Sequence, residues 1–191
     1  MIEQLAEWDR EWFIFFNSYH HPFWDTFMTY MSSRIFWVPM YMVILSYLIY
    51  FYRRQSILMI GAILVAVSLA DLISYRFFKP YFGRLRPCYD ESLAEVIHIV
   101  DGCGGRFGFL SSHAATTFAF AATLCLLLDR RYWVYKGFIL LWASVISFSR
   151  IYLGVHYPGD VLAGALLGIL LGLLATYFYR LAFNRFSWFH R

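Results

Sequence analysis

The chain has 191 residues, a length that suits one domain, and it is 61% hydrophobic, 22% aromatic and 15% charged. So few charges leave too little polar surface to clothe a water-soluble domain of this size, and the bilayer is the expected solvent. The formal charge of +4 is spread among loops; the chain has no basic tract of the kind that binds nucleic acid and no glycine-rich phosphate loop followed by Lys-Ser or Lys-Thr.

The N-terminus reads Met1-Ile2-Glu3-Gln4-Leu5 and lacks the basic start and small-residue cleavage site of a secretory signal, so the first spanning helix is expected to direct insertion. Residues 10–31 are aromatic but broken by His20, His21, Pro22 and Asp25. That pattern predicts one or two interfacial helices in an N-terminal segment 1–34, with Trp12 and Trp24 at headgroup depth; a span here is the alternative. Five later runs, 35–52, 56–75, 111–129, 134–153 and 158–180, each approach the roughly 20 residues that cross ~30 Å of hydrocarbon. The prediction is an all-α integral membrane bundle of about five transmembrane helices plus the N-terminal interfacial ones, in a single domain over 1–191.

Asp71 falls inside the second run, where a carboxylate is expensive without a partner. It either supports the site by pairing with Lys79, Arg76 or Ser144, or makes a polar interhelical contact of no chemical consequence. Cys88 and Cys103 fall in the loop 76–110, and either pair in an oxidising compartment or remain free thiols, while Cys125 reads as packing. Gly102, Gly104, Gly105 and Gly108 either let backbone approach a ligand or make turns. Gly164, Gly168 and Gly172 form a flat stripe, for close helix contact within the bundle or for a homodimer face.

Short-loop charges set the orientation. Arg53 and Arg54, then Arg130, Arg131 and Lys136, then Arg180, Arg185 and Arg191 mark three regions on one side, the cytoplasmic one. The acidic N-terminus, the loop 76–110 and the turn 150–157 fall on the other side. The loop is itself basic (Arg76, Lys79, Arg84, Arg86, Arg106), against the charge rule, and binding of an anion would account for that.

Three clusters sit at helix ends on that second side. Lys79 and Arg86 offer a compact charge and a planar fork of donors to a phosphate, or are interfacial cations for headgroups. Pro80 and Pro87 stiffen their segment and disfavour helix at the residue before each. Ser111, Ser112 and His113 open the third span, where unpaired backbone N–H groups favour an anion; Ser111 also reads as a simple N-cap. Arg150, His156 and Asp160 surround the last turn. Asp160 is placed to accept a hydrogen bond from His156 Nδ1, which frees Nε2 as a nucleophile, or merely complements a helix dipole.

Together these motifs resemble the type-2 phosphatidic acid phosphatase, or lipid phosphate phosphatase, superfamily. Its first pattern, Lys, six residues, Arg-Pro, is matched by Lys79, Arg86 and Pro87. Its second, Pro-Ser-Gly-His, is matched in part by Leu110-Ser111-Ser112-His113. Its third, Ser-Arg, five residues, His, three residues, Asp, is matched in full by Ser149, Arg150, His156 and Asp160. The resemblance implies a phosphohistidine on His156, orientation of His156 by Asp160, and protonation of the leaving oxygen by His113. It implies a phosphate cradle of Lys79, Arg86, Arg150, the Ser111 hydroxyl and the Ser112 N–H, with no metal and no cofactor.

The expected partners are the bilayer and a lipid phosphate: undecaprenyl diphosphate, phosphatidylglycerol phosphate, phosphatidic acid or a lipid A phosphate, with undecaprenyl diphosphate or broad specificity first. The expected place is a bacterial inner membrane with the site on its extracytoplasmic side. The rival reading is a non-enzymatic transporter or flippase of a phosphorylated lipid with Asp71 as coupling group. A soluble phosphatase or vanadium-dependent haloperoxidase would share the motifs, but five apolar runs disfavour both.

Overall fold

In hydrocarbon a backbone must satisfy its own hydrogen bonds, so long apolar runs become helices. The computed structural model describes residues 2–100 and 102–185; Arg191, counted above with the basic tail, lies outside them. Helices α1 (Ile2–Ser18) and α2 (Pro22–Ser32) are followed by α3 (Val38–Tyr52), which a 3₁₀ turn at Ile35–Trp37 extends. Then come α4 (Gln55–Ile73), α5 (Lys79–Phe82), α6 (Ser112–Leu127), α7 (Trp133–Tyr152) and α8 (Pro158–Arg185). Among the described residues four stretches are long and apolar enough to cross a membrane: Ile35–Tyr52, Gln55–Phe82, Arg130–Tyr152 and Pro158–Arg185.

The fifth expected span, 111–129, is shorter than that. At 16 residues α6 is about 24 Å long, less than the hydrocarbon thickness. It needs no full crossing because it is wrapped by protein: α4, α7 and α8 pack around it. Its small side chains, among them Ala114, Ala115, Ala119 and Ala121, are fully buried. The starting end of α6 therefore lies recessed inside the bundle.

The glycine stripe of α8 makes this fit. A Cβ at Gly164 would stand 3.1 Å from the Ala114 methyl, and one at Gly172 would stand 2.8 Å from the Ala122 methyl. The stripe is thus used within the chain, against α6.

The second span runs further than the apolar pattern implied. Ser74–Phe78 is a π-helical turn that carries α4 into α5, so helix continues to Phe82 and the loop begins at Gly83 instead of residue 76. Lys79 is helical although Pro80 follows it. The widened turn before Pro80 breaks the regular ladder in which proline would clash and leave a carbonyl unpaired. Gly83, at φ 57°, then ends the helix in the left-handed conformation, its N–H donating to the Lys79 carbonyl at 3.1 Å.

α1 and α2 lie across the end of the bundle where the segment 83–111 and the α7–α8 turn meet. Trp12 and Trp24 face outward, as interfacial anchors do. The inward face buries Phe13 and Met28 in apolar clusters and carries two polar anchors. Asn17 is 1% exposed and fully engaged: its Nδ2 donates to the carbonyls of His98 (2.9 Å) and Tyr152 (2.8 Å), and its Oδ1 accepts from His98 N (2.8 Å). Asp25 accepts from Tyr152 Oη at 2.7 Å and pairs with His98 Nε2 at 3.1 Å.

Adding a methyl at Gly168 tests the α6–α8 seam. Its Cβ would fall on the Ala115 carbonyl oxygen and 2.8 Å from Ala119 N, backbone atoms that cannot step aside. Gly168→Ala is expected to cost about 1–3 kcal/mol or more. At Gly61, where a Cβ meets nothing within 4 Å, the same change is expected to be neutral or mildly stabilising. Thermal unfolding of both variants in detergent checks the contrast.

Candidate active site

The α7–α8 turn is built to aim one imidazole. The Arg150 carbonyl closes the end of α7 by accepting from Val155 N and His156 N, both at 3.1 Å. Gly154 adopts φ +80°, and a Cβ there would sit 2.8 Å from the His98 carbonyl oxygen, so only glycine allows the segment 83–111 to press on this turn. Pro158 opens α8, and Asp160 lies in its first turn. His156 Nδ1 stands 3.3 Å from Asp160 Oδ2, which also accepts from Tyr157 N at 3.1 Å. His156 is 1% exposed and Asp160 is not exposed at all. With Nδ1 engaged, Nε2 is left for the cavity beyond.

That cavity holds about 340 Å³. His113 and His156 both line it, with Lys79, Arg86 and Arg150. Residues from three separated motifs therefore share one space. Ser112 also lines it, while Ser111 and Asp160 stand behind its wall. Ser111 is fully buried as the N-cap of α6: its side chain accepts from Ala114 N at 3.5 Å, and its own N–H donates to the Asp160 carbonyl at 3.0 Å.

The remaining cations are held by the loop and α2. Leu85 and Phe107 form an antiparallel bridge, flanked by Arg86 N to Arg106 O at 3.1 Å and Gly108 N to Arg84 O at 2.8 Å. Arg86 Nε donates to the Phe107 carbonyl at 3.3 Å. Beyond the bridge Cys88 and Cys103, with Cα atoms 6.1 Å apart, are joined in a disulfide that closes this hairpin. A Cβ on Gly108 would come within 3.0 Å of Asp160 Oδ2 and 3.2 Å of Arg86 Cγ, so this glycine serves close packing behind the site. Arg150 Nη1 hydrogen-bonds Ser32 Oγ at the end of α2.

Ser112 occupies the position where the family pattern has glycine. Its hydroxyl is hydrogen-bonded to Ser74 Oγ at 2.8 Å, in the π turn, and both residues are buried. The extra side chain has a partner on a neighbouring helix and is not left as an unsatisfied polar group.

Asp71 lines the cavity and also a second, apolar one of about 530 Å³ that runs between α3, α4 and α6, along Leu45, Leu48, Ile63 and Phe120. Arg34 and His113 border both spaces as well. Among the described residues Asp71 makes no ion pair within 4 Å, and Ser144, one of the three partners considered for it, donates to the Leu140 carbonyl at 2.9 Å. Among the described residues no group of three or more His, Cys, Asp or Glu is arranged to hold a metal.

Sequence reasoning missed Arg34, Arg84, Asp9 and Ser74. Arg84 was visible only as one of several loop cations, and Asp9 only as part of an acidic N-terminus. Arg84 Nη1 meets Asp160 Oδ1 at 2.9 Å and Nη2 meets Asp9 Oδ2 at 2.6 Å.

Burial holds the His156 imidazole well below its ordinary titration range, and the surrounding charges of Arg86, Arg150, Lys79 and Arg84 reinforce that. Burial also lowers Arg86, while on Arg84 the desolvation cost is outweighed by the Asp160 and Asp9 carboxylates, which raise it. His156 thus binds a proton less readily folded than unfolded. As pH falls through the unfolded value near 6.5, the unfolded chain takes up the extra proton, and stability drops by at most about 1.4 kcal/mol per pH unit from this group. Wild type is therefore expected to lose more thermal stability than His156→Gln between about pH 7.5 and about pH 5.

A family model described as the PAP2 superfamily matches residues 57–184. A lipid A 4'-phosphatase of Bacteroides thetaiotaomicron is 43% identical over 88% of this chain and 75% of its own length. A lipid A 4'-phosphatase of Porphyromonas gingivalis is 30% identical over 96% and 78%. Among solved structures, Aquifex aeolicus LpxE superposes with a TM-score of 0.66 at 28% identity, covering 87% of this chain and 93% of that one. The motif spacing, the bundle and these matches agree, and the transporter reading has no support among them. The chain belongs to the PAP2 superfamily and is an integral membrane lipid phosphatase.

Proposed function

We propose that the chain removes a phosphate monoester from a lipid A-type glycolipid at the extracytoplasmic face of a bacterial inner membrane, through a phosphohistidine on His156. The observation that carries this reading is that His113, His156, Lys79, Arg86 and Arg150 line one cavity whose border, at Arg34, Asp71 and His113, is shared with an apolar groove. A phosphate in the first space and an acyl chain in the second match one amphiphile. The two lipid A 4'-phosphatases move lipid A phosphate ahead of undecaprenyl diphosphate or broad specificity, the first expectation from the sequence. An undecaprenyl-diphosphatase of Sulfolobus acidocaldarius is a more distant relative, at 25% identity.

In the first step His156 Nε2 attacks phosphorus, the bond from phosphorus to the lipid oxygen breaks, and His113 delivers its proton to that oxygen. In the second, His113 takes a proton from water as its oxygen attacks the phosphohistidine, and inorganic phosphate leaves. Lys79, Arg86 and Arg150 neutralise the non-bridging oxygens as charge shifts onto them, with the Ser112 N–H adding a donor. The Asp160 carboxylate favours the cationic ring formed when Nε2 is phosphorylated. Ser111 acts on this reading by holding the first turn of α6 in place. The orientation rests on the basic turns at 53–54 and 130–136 and on Arg180 and Arg185.

Phosphate release by the purified protein from lipid A, undecaprenyl diphosphate, phosphatidylglycerol phosphate and phosphatidic acid tests the reading. Lipid A is expected to be turned over with the highest kcat/KM, and faster turnover of undecaprenyl diphosphate would overturn the substrate assignment. His156→Ala is expected to lose about 10³-fold or more in kcat while remaining folded. His113→Ala is expected to lose about 10²–10⁴-fold on the lipid but far less on a nitrophenyl phosphate, whose leaving group needs no proton. An equal loss on both substrates would remove His113 as the acid.

A further inference from the structure

The Asp160 carboxylate is fully buried, and its two oxygens have different partners. Oδ2 faces His156 Nδ1 and accepts from Tyr157 N, whereas Oδ1 accepts from Arg84 Nη1 at 2.9 Å. The other arm of the same guanidinium reaches Asp9 on α1 at 2.6 Å, and Asp9 Oδ1 in turn accepts from Gly159 N, in the first turn of α8, at 2.6 Å. The Arg84 plane rests over the Tyr157 ring, 4.2 Å from its centroid. Neither Arg84 nor Asp9 lines the phosphate cavity. We propose that Arg84 and Asp9 are positioning residues, which fix the Asp160 carboxylate as an anion against His156 and thereby make the N-terminal interfacial helix part of the catalytic apparatus.

The physical case is one of charge balance in a dry place. A lone carboxylate next to His156 would be costly to bury, and protonation would relieve it. Arg84 alone would keep Asp160 ionised but would also cancel the field that favours a cationic imidazole. With Asp9 on its other arm, the three groups sum to one negative charge, and the oxygen carrying it toward His156 is the one Arg84 does not touch. Arginine suits this bridge because its planar fork meets two carboxylates at fixed angles. Asp9 does a second thing. By accepting from Gly159 N it occupies the N-terminus of α8 next to Asp160, and a Cβ at Gly159 would stand 2.8 Å from Asp9 Oδ2, so the approach depends on glycine.

The proposal rests on the phosphatase reading above, and the test separates the two. Phosphate release from lipid A is measured for wild type, His156→Ala, Arg84→Ala, Arg84→Lys and Asp9→Asn, with kcat and KM resolved across pH. No release by wild type, or release by His156→Ala, would sink the reading itself. Given that reading, Arg84→Ala is expected to lose about 10²-fold in kcat with KM within about threefold, since substrate does not touch Arg84. Arg84→Lys is expected to recover part of this. The acid limb of kcat is expected to move to higher pH in Arg84→Ala, because Asp160 then faces Asp9 from α1 without the intervening cation, leaving Arg86, Lys79, His156 and Tyr157 as its charged or titratable neighbours. Asp9→Asn keeps shape and an acceptor but removes one charge; it is expected to lose kcat, again at unchanged KM, in a protein that still folds. If Arg84→Ala does not fold, Asp9→Asn and Arg84→Lys decide the matter. Wild-type kcat in the folded variants, or a raised KM at unchanged kcat, would overturn the proposal.

Discussion

A carboxylate with no solvent exposure has to be satisfied by protein, and Asp160 is that group. The partners of its carboxylate come from two directions, His156 and Tyr157 from the turn before it and Arg84 from the loop, while Ser111 N from the cap of α6 donates to the backbone carbonyl of the same residue. Asp9 adds α1 through Arg84. Each of these bonds is worth little alone in water, yet none is easily surrendered, because an orphaned charge in this position costs several kcal/mol. The ends of the helices meet around that requirement, and the cavity lined by Lys79, Arg86 and Arg150 is what remains in front of His156.

The bilayer supplies the second constraint. Apolar burial does little to choose between helices already in hydrocarbon, so close packing must do so. The glycine stripe of α8 lets α6 approach until Ser111, Ala115 and Thr123 backbone atoms meet it. A short central helix results, with its starting end recessed inside the bundle. The N-terminus of α6 lies there beside His113 and near Lys79, Arg86 and Arg150, an arrangement of dipole and cations that favours an anion. The apolar groove opens from the same place along α3 and α4, which accords with an amphiphile whose charged end is held at the recessed end of α6.

Much of this was legible from residues alone, and the parts that were not share a cause. His156 and Asp160 are four residues apart across the start of α8, so their contact is a local matter and was one of the two readings the spacing allowed. Lys79 and Arg86 belong to one short segment. In contrast, Ser111 was expected at the phosphate through its hydroxyl, yet that hydroxyl turns to cap its own helix, one of the two readings its position allowed. Pro80 was expected to disfavour helix at Lys79, which is helical after a π turn. Asp71 borders the site and, among the described residues, makes no ion pair, which was one of the two readings open to it.

Hydrophobic run length, loop charge and motif spacing are properties of neighbouring residues, and they determined the all-α membrane class, the five main helices and the three motifs. Which distant groups share a cavity, that Cys88 meets Cys103, that Ser74 receives Ser112, and that Asp9 reaches across about 150 positions to α8 were decided only by tertiary structure. The reason is geometric: a side chain's partner across the bundle depends on helix rotation and depth, and these are settled by packing of whole faces, a quantity no local pattern carries.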